Sequence, residues 1–348
     1  MPINYEPING ATDVATTRTI LHEVIPLTGT LVSGTYGTFP NENNIKNYSH
    51  GQFQSVYDYP YLSSSANHIF DLTVGFDESS TRSGSLSPVQ QTKKINMYNQ
   101  MSQVLLGYTG STNRVRLFES DLTLDESAGN VMKEVLFVNL SRLLTKDEIK
   151  KGSVSIAIGT ASWANPFAGV KTFTDSDASN TGGTLNTVGG DYGVLSSSAA
   201  GVGGVVFYQA GVVVLTGSIW AGTTDFFSQS GTARTFDNQL VSGSMSGSAD
   251  AFRHRLQNLQ FNNSTEINST VYFCRAPHNK FNYSSNPTYL NSGAIRVKNN
   301  VRSNPPIAYA TTIGLYNSQN ELLAVAKLSE PLRKDPTNEL TLRVRLDY

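Results

Sequence analysis

Cysteine is almost missing from this chain: Cys274 stands alone among 348 residues. A single thiol excludes an internal disulfide framework and fits a reducing compartment. Charge is scarce too, at 15% of residues against about 25% in an ordinary soluble domain. Ser, Thr, Asn, Gly and Tyr take its place, which suits a β-rich protein packed against neighbours. Neither sign dominates. The 26 Lys and Arg face 27 Asp and Glu, so no overall field favours nucleic acid or an anionic membrane. Long apolar runs are missing as well. The longest, Val202–Ile219, is interrupted by glycines, Gln209, Thr216 and Ser218, and reads as two strand-length pieces instead of a membrane span. No basic region followed by an apolar one opens the chain, so no secretory signal is read there. The Asn-x-Ser/Thr triplets at Asn262, Asn263, Asn268 and Asn282 then carry no weight as glycosylation sites.

Residues that carry chemistry are also in short supply. Gly201-Val-Gly-Gly204 lacks a following Lys-Ser/Thr and leads into a strand, which removes the helix dipole a phosphate loop needs. Cys274 and His278 sit four apart, but a zinc site needs four ligands and no second cysteine exists. Gly243-Ser-Met-Ser-Gly247 places Met245 where a serine hydrolase needs its nucleophile. Asp175 and Asp177 form the one nominated carboxylate pair, and in a Gly/Ser-rich stretch they read as turn residues. Their spacing lacks the glycine and terminal Glu of an EF-hand. The expectation is a protein without catalysis, cofactor or metal.

What is present is β patterning. Leu340-Thr-Leu-Arg-Val-Arg-Leu-Asp-Tyr348 alternates strictly, which predicts a strand with one face on a core. Ile313–Tyr316 and Glu321–Lys327 flank the polar turn Asn317–Asn320 and predict a hairpin. Gly203–Thr216 predicts another, turning at Gln209–Gly211. Further strands are expected at Leu117–Leu124, Val131–Leu140, Ser153–Ile158, Ser269–Cys274, Ala294–Lys298 and Ala308–Tyr316. Ser87–Gly107 predicts the main helix, with Ser87 as cap, Pro88 at the first position, Gly107 as stop and an apolar stripe of Ile95, Tyr98, Met101, Val104 and Leu105. Two shorter helices are expected, one from the capping box Thr145-Lys-Asp-Glu148 and one over Ser248–Leu259.

These signals predict a mainly β chain with a few covering helices (α+β): a β-sandwich-like core with long loops and an extended N-terminal arm. Residues 1–85, interrupted by prolines, read as an arm that packs through its aromatics. Residues 86–110 read as a helix on the core, and 111–348 as the main β domain, with surface excursions near 161–204 and 222–262. The candidate contact residues are Tyr48, Phe53, Tyr57, Tyr59 and Tyr61 of the arm, Trp163 of the first excursion, and Arg343, Arg345 and Tyr348 of the last strand. Arg296, Lys298, Arg302, Lys327, Arg333 and Lys334 join the last two arginines in a basic block, read as a solvated face or the complement of an acidic neighbour. If Leu340–Tyr348 lies at a sheet edge, it is open to a neighbour's strand.

Three segments carry a resemblance: Asn268-Ser-Thr-Val-Tyr-Phe-Cys-Arg275, then Asn279-Lys-Phe-Asn-Tyr-Ser-Ser-Asn-Pro-Thr-Tyr289, then Tyr309–Pro331 with its phrase Thr-Ile-Gly-Leu-Tyr-Asn…Asn-Glu-Leu-Leu-Ala-Val-Ala. Together with the Gly204–Thr216 hairpin, they resemble virion structural proteins of large contractile-tailed, T4-like bacteriophages, including those of cyanobacteria. The resemblance covers the last third of the chain and that hairpin. It implies a virion protein made in the host cytoplasm, in the tail or baseplate, with other phage structural proteins and further copies of itself as partners. The rival expectations are a neck, capsid or head-decoration protein and a receptor- or glycan-binding module of the tail, the latter suggested by Trp163, Trp220 and the many tyrosines. No functional residue carries over, because such proteins act through surfaces.

Overall fold

The computed structural model describes residues 5–28, 35–84, 88–109, 114–229, 232–283, 290–291, 294–295, 303 and 306–348. The chain is mainly β, with 44% of residues in strands and few helices, as expected from the patterning. It divides into two compact units. One is Leu21–Thr265; the other joins Met1–Ile20 to Glu266–Tyr348. The boundary therefore cuts across residues 1–85 and 111–348, which do not form an arm and a single domain.

The Leu21–Thr265 unit holds the second half of β1 (Val14–Thr28), then β2 (Ile45–Asn47), β3 (Gln54–Tyr57) and β4 (His68–Phe76). After α1 (Pro88–Leu105) come β5 (Phe118–Glu119), β6 (Val131–Met132) and β7 (Glu134–Leu140). The short α2 (Arg142–Thr145) leads to β8 (Glu148–Ile149), β9 (Ser155–Gly159) and β10 (Val170–Thr174). Next are β11 (Leu185–Thr187), β12 (Gly190–Ser197), β13 (Gly201–Phe207), β14 (Val212–Thr216), β15 (Phe227–Gln229) and β16 (Thr232–Arg234). α3 (Phe236–Ser242), α4 (Met245–Arg255) and the first half of β17 (Leu256–Ala276) complete the unit.

Its main sheet runs β17-β9-β10-β12-β13-β14-β7-β4-β3-β2. The central strands β7, β13 and β14 are buried on both faces. Leu136, Val138, Val206, Val213 and Leu215 join one core cluster, while Val135, Phe137, Val205, Phe207, Val212 and Val214 join the other. This is why they read as unbroken apolar runs. The first cluster also collects Ile45 and Val56 from one end of the sheet and Ile156, Leu259 and Phe261 from the other. A sheet this wide curls, so the sandwich-like core is one sheet folded over itself instead of two separate sheets.

Residues 45–76, expected as part of an arm, supply β2, β3 and β4, with Val56, Phe70, Leu72 and Val74 fully buried. The apolar pattern was masked by polar residues that are buried themselves. Gln54 and Ser55 lie in the core, and Gln54 donates to Asp250 at 2.8 Å and accepts from Arg253 at 2.9 Å. The 161–204 stretch, expected as a loop, contributes β10, β11 and β12. Its glycines make room for aromatics: a Cβ on Gly203 would enter the Phe173 ring, and one on Gly193 the Tyr208 hydroxyl. Residues 222–262 form α3, α4 and the start of β17 in place of an excursion.

Helix α1 forms as expected and ends where Gly107 turns left-handed at φ 82°; Ser87 lies outside the described residues. Its buried stripe is Gln91, Lys94, Tyr98, Ser102 and Leu105, whereas Val104 is exposed. The capping-box expectation fails. α2 ends at Thr145, and Ser141 caps it by accepting from the Leu143 N–H. α4 starts three residues before the expected Ser248, capped by Ser244, whose Oγ accepts from the Gly247 N–H at 3.0 Å. β14 stops at Thr216 and a single 3₁₀ turn, Gly217–Trp220, follows.

In the Met1–Ile20/Glu266–Tyr348 unit, the first half of β1 and β22 (Leu340–Asp347) adjoin the second half of β17. β22 pairs antiparallel with β17 from Leu340↔Ala276 to Asp347↔Ser269. The same unit carries β18 (Leu290–Asn291), β19 (Ala294–Ile295), β20 (Ala308–Tyr316) and β21 (Leu322–Lys334). Among the described residues β20 and β21 form a two-stranded sheet by themselves. The expected strand Ala294–Lys298 is described only at Ala294–Ile295, and Arg296, Lys298 and Arg302 lie outside the described residues.

Candidate interaction surfaces

The predicted aromatics of the Leu21–Thr265 unit gather on the β2–β3 hairpin and the loops beside it. Tyr48, His50 and Phe53 pack on one another with ring centroids 4.8–5.2 Å apart, and Lys46 Nζ sits 4.8 Å over the Tyr48 ring. Tyr57 meets Tyr61 at 6.3 Å and the His68 edge at 5.6 Å. Burial first, then Tyr48, raises the Tyr57 hydroxyl's pKa. Tyr59 is exposed and meets Tyr36 edge-on at 5.5 Å, and Leu62 beside it is 87% exposed. These rings pack largely among themselves.

Trp163 is packed on three sides. It stacks on His254 at 4.2 Å and meets Phe227 at 5.6 Å and Phe39 at 5.8 Å. The Trp163 N–H donates to Asp225 at 2.9 Å, and His254 Nε2 lies 2.9 Å from the Trp163 carbonyl. An N–H on Nε2 satisfies that contact, and burial lowers the His254 pKa, so the ring is neutral at pH 7. Trp220 is fully buried between Phe226 and Phe236. Neither tryptophan offers the open aromatic platform a glycan-binding groove requires.

Buried charge in this unit serves architecture. Arg255 donates to the carbonyls of Ala161 at 2.7 Å, Asp225 at 2.8 Å and Phe226 at 3.2 Å, pinning two loops, and burial brings its pKa down to about 10. Arg253 bridges Glu42 at 3.2 Å and Asp250 at 3.0 Å. Two carboxylates meet there, but the Glu42 side chain is fully buried. Asp175 is buried and accepts from the Gly152 and Val154 N–H groups at 2.8 Å and the Tyr208 hydroxyl at 2.9 Å. Burial raises its pKa, against the pull of those donors. Asp177 is exposed, so the two aspartates form no pair. A cleft of about 540 Å³ is lined by Arg82, Lys133, Glu134, Ser218, Trp220 and Asp237. Its Arg82–Asp237 pair closes at 2.6 Å, and Glu134 accepts from Ser80 Oγ.

Among the described residues no group of three or more His, Cys, Asp or Glu is arranged to hold a metal. Cys274 is half-buried, and burial raises its thiol pKa.

In the other unit, Arg343 and Arg345 project from the exposed face of β22, and Tyr348 is 75% exposed. Arg345 donates to Asp347 at 2.6 Å and to Ser269 at 3.0 Å; Arg343 makes no ion pair among the described residues. The Asp347 carboxyl is held below its usual range first by the Ser269 hydroxyl and then by Arg345. Among the described residues β22 pairs with β17 alone, which leaves its other edge open.

The surface missing from the sequence-based selection is the β20–β21 hairpin. Tyr309, Tyr316, Leu322, Leu323 and Val325 are between 45% and 68% exposed. Their signal was available in the Ile313–Tyr316 and Glu321–Lys327 patterns, which predicted the hairpin correctly without telling its outer face from its inner one. Compared with protein families, curated proteins and solved structures, the chain matches none of them.

Proposed function

We propose that this chain is a structural subunit of a tailed bacteriophage particle, in the tail or baseplate, acting through protein–protein interfaces. The observation that carries the reading is the β20–β21 hairpin, which shows large apolar side chains to solvent on strands of 9 and 13 residues. An isolated two-stranded sheet is marginal in water, and exposed apolar patches on soluble proteins mark contact sites. The hairpin lies in the segment, Tyr309–Pro331, whose sequence resembles contractile-tailed phage proteins. The open edge of β22 and the uncharged, Ser/Thr/Asn-rich composition fit the same role.

Mass spectrometry and cryo-electron microscopy of purified source particles test the proposal. Density for the chain in the tail-end complex supports it. Density on the head or neck keeps the structural class and removes the tail assignment. Absence from purified particles overturns it.

A further inference from the structure

We infer that the outer face of the β20–β21 hairpin packs against the same face of a second copy of this chain, and that this contact completes the Met1–Ile20/Glu266–Tyr348 unit. The inference rests on the assembly reading above and adds the partner and the surface.

The register defines the face. Gly314 pairs with Val325, and Tyr316 with Leu322. A Cβ on Gly314 would meet Tyr316 at 2.8 Å and Leu322 at 3.2 Å, so these side chains lie over the glycine on one side of the hairpin. The register shift between Ala310 and Thr312 reverses the alternation and brings Tyr309, 62% exposed, to that side, while Ala308 and Leu315 are buried on the inner side. Leu323, 68% exposed, sits at the register shift between Leu315 and Tyr316.

Little holds the unit, among its described residues, beyond strand pairing and the Tyr5–Tyr316 ring contact at 5.0 Å. Among its described residues the buried apolar side chains are Val271, Ala308, Leu315 and Val344. The Leu21–Thr265 unit, by contrast, is built on two large clusters. A unit with so small a core gains its missing layer from another chain.

Area and charge select the partner. Five large side chains, about half exposed, present on the order of 400–500 Å² of apolar surface. Apolar atoms make up a little over half of a typical interface, so this corresponds to about 800 Å² per partner, the size of a standard stable contact. The same face carries Thr311, Thr312 and two cations, Lys327 opposite Thr312 and Arg333 opposite Tyr309, the latter paired with Asp335 at 3.1 Å. It has no block of one charge to repel its own image and none to select a charged partner. A second copy arrives with the same missing layer, and two such faces satisfy one another in an isologous contact.

The test is the oligomeric state of the full chain by sedimentation across a concentration series. The expected result is self-association, weakened about tenfold or more by Val325→Lys and by Leu323→Lys and unchanged by Leu62→Lys in the other unit. Unaltered hydrogen exchange in β22 and the half of β17 it pairs with shows that the unit carrying the lysine variants remains folded. A monomeric wild-type chain, or self-association indifferent to both hairpin variants, overturns the inference. A monomeric chain found in particles removes this contact and leaves the assembly reading standing. A self-associating chain absent from particles does the reverse.

Discussion

Lys94 shows how much one side chain can hide from sequence. It lies within the buried stripe of α1, fully covered, and its ammonium donates to the carbonyls of Gly243 at 2.8 Å and Leu240 at the end of α3. Those carbonyls lack partners within their own helix, so the lysine caps one helix from another. Burial lowers its pKa from 10.5 to about 8. Below pH 8 the folded and unfolded chains both hold the proton, and the fold bears the full cost of the buried charge. Between pH 8 and 10.5 the unfolded chain holds a proton the folded chain has released, so stability rises with pH across that window. Denaturant titrations from pH 7.5 to 9.5 are expected to show this slope in the wild type and to lose it in Lys94→Met. At pH 9.5, where the wild type has shed the buried charge but keeps its donor, that variant is the less stable by about 1–3 kcal/mol, because the carbonyls lose their partner. An identical slope in both proteins would assign the titration elsewhere. Nothing in the local spacing marks Lys94, because its acceptors lie almost 150 positions away.

At the scale of elements, α1 and β4 meet through a glycine. A Cβ on Gly75 would lie 2.9 Å from both the Lys94 carbonyl oxygen and the Tyr98 nitrogen, backbone atoms that cannot rotate away. The helix in turn holds β5 and β6: the Tyr98 hydroxyl accepts from the Phe118 N–H at 3.1 Å and donates to the Met132 carbonyl at 3.0 Å. Gly75→Ala is therefore expected to cost about 1–3 kcal/mol by pushing the helix off the strand, measured as a lower denaturation midpoint. An alanine tolerated at full stability would show that the helix has room to shift. The position of α1 was legible from Pro88, Gly107 and the apolar spacing. Its buried face was misread at Val104, because nothing in the spacing says that Gln91, Lys94 and Ser102 find partners inside. The β13–β14 hairpin was legible to the turn, with Phe207 opposite Val212 and Gly211 at φ 70°. Its neighbours β10 to β12 were not, because glycines that admit Phe173 and Tyr208 look the same as loop glycines until the partner strands are in place.

For the molecule as a whole, the two units differ in how completely they fill themselves. The Leu21–Thr265 unit buries both faces of its central strands, while the other leaves long strands half covered. Local stability follows buried contacts. Hydrogen exchange on the isolated chain is expected to be slowest in β7, β13 and β14 and much faster in β20 and β21. Protection of the hairpin should then rise with protein concentration if copies complete it. Equal protection in both units at every concentration would contradict that division.

By itself the sequence determined the β class, the main helix, both predicted hairpins and the alternation of the last strand, because these depend on neighbours two to four residues apart. Only the tertiary structure decided that residues 45–76 belong to the sheet and that the first 20 residues group with the last 83. It also decided which face of the β20–β21 hairpin stays open. Each of these rests on contacts between residues far apart in the chain, and on polar or glycine positions whose role depends on what packs against them.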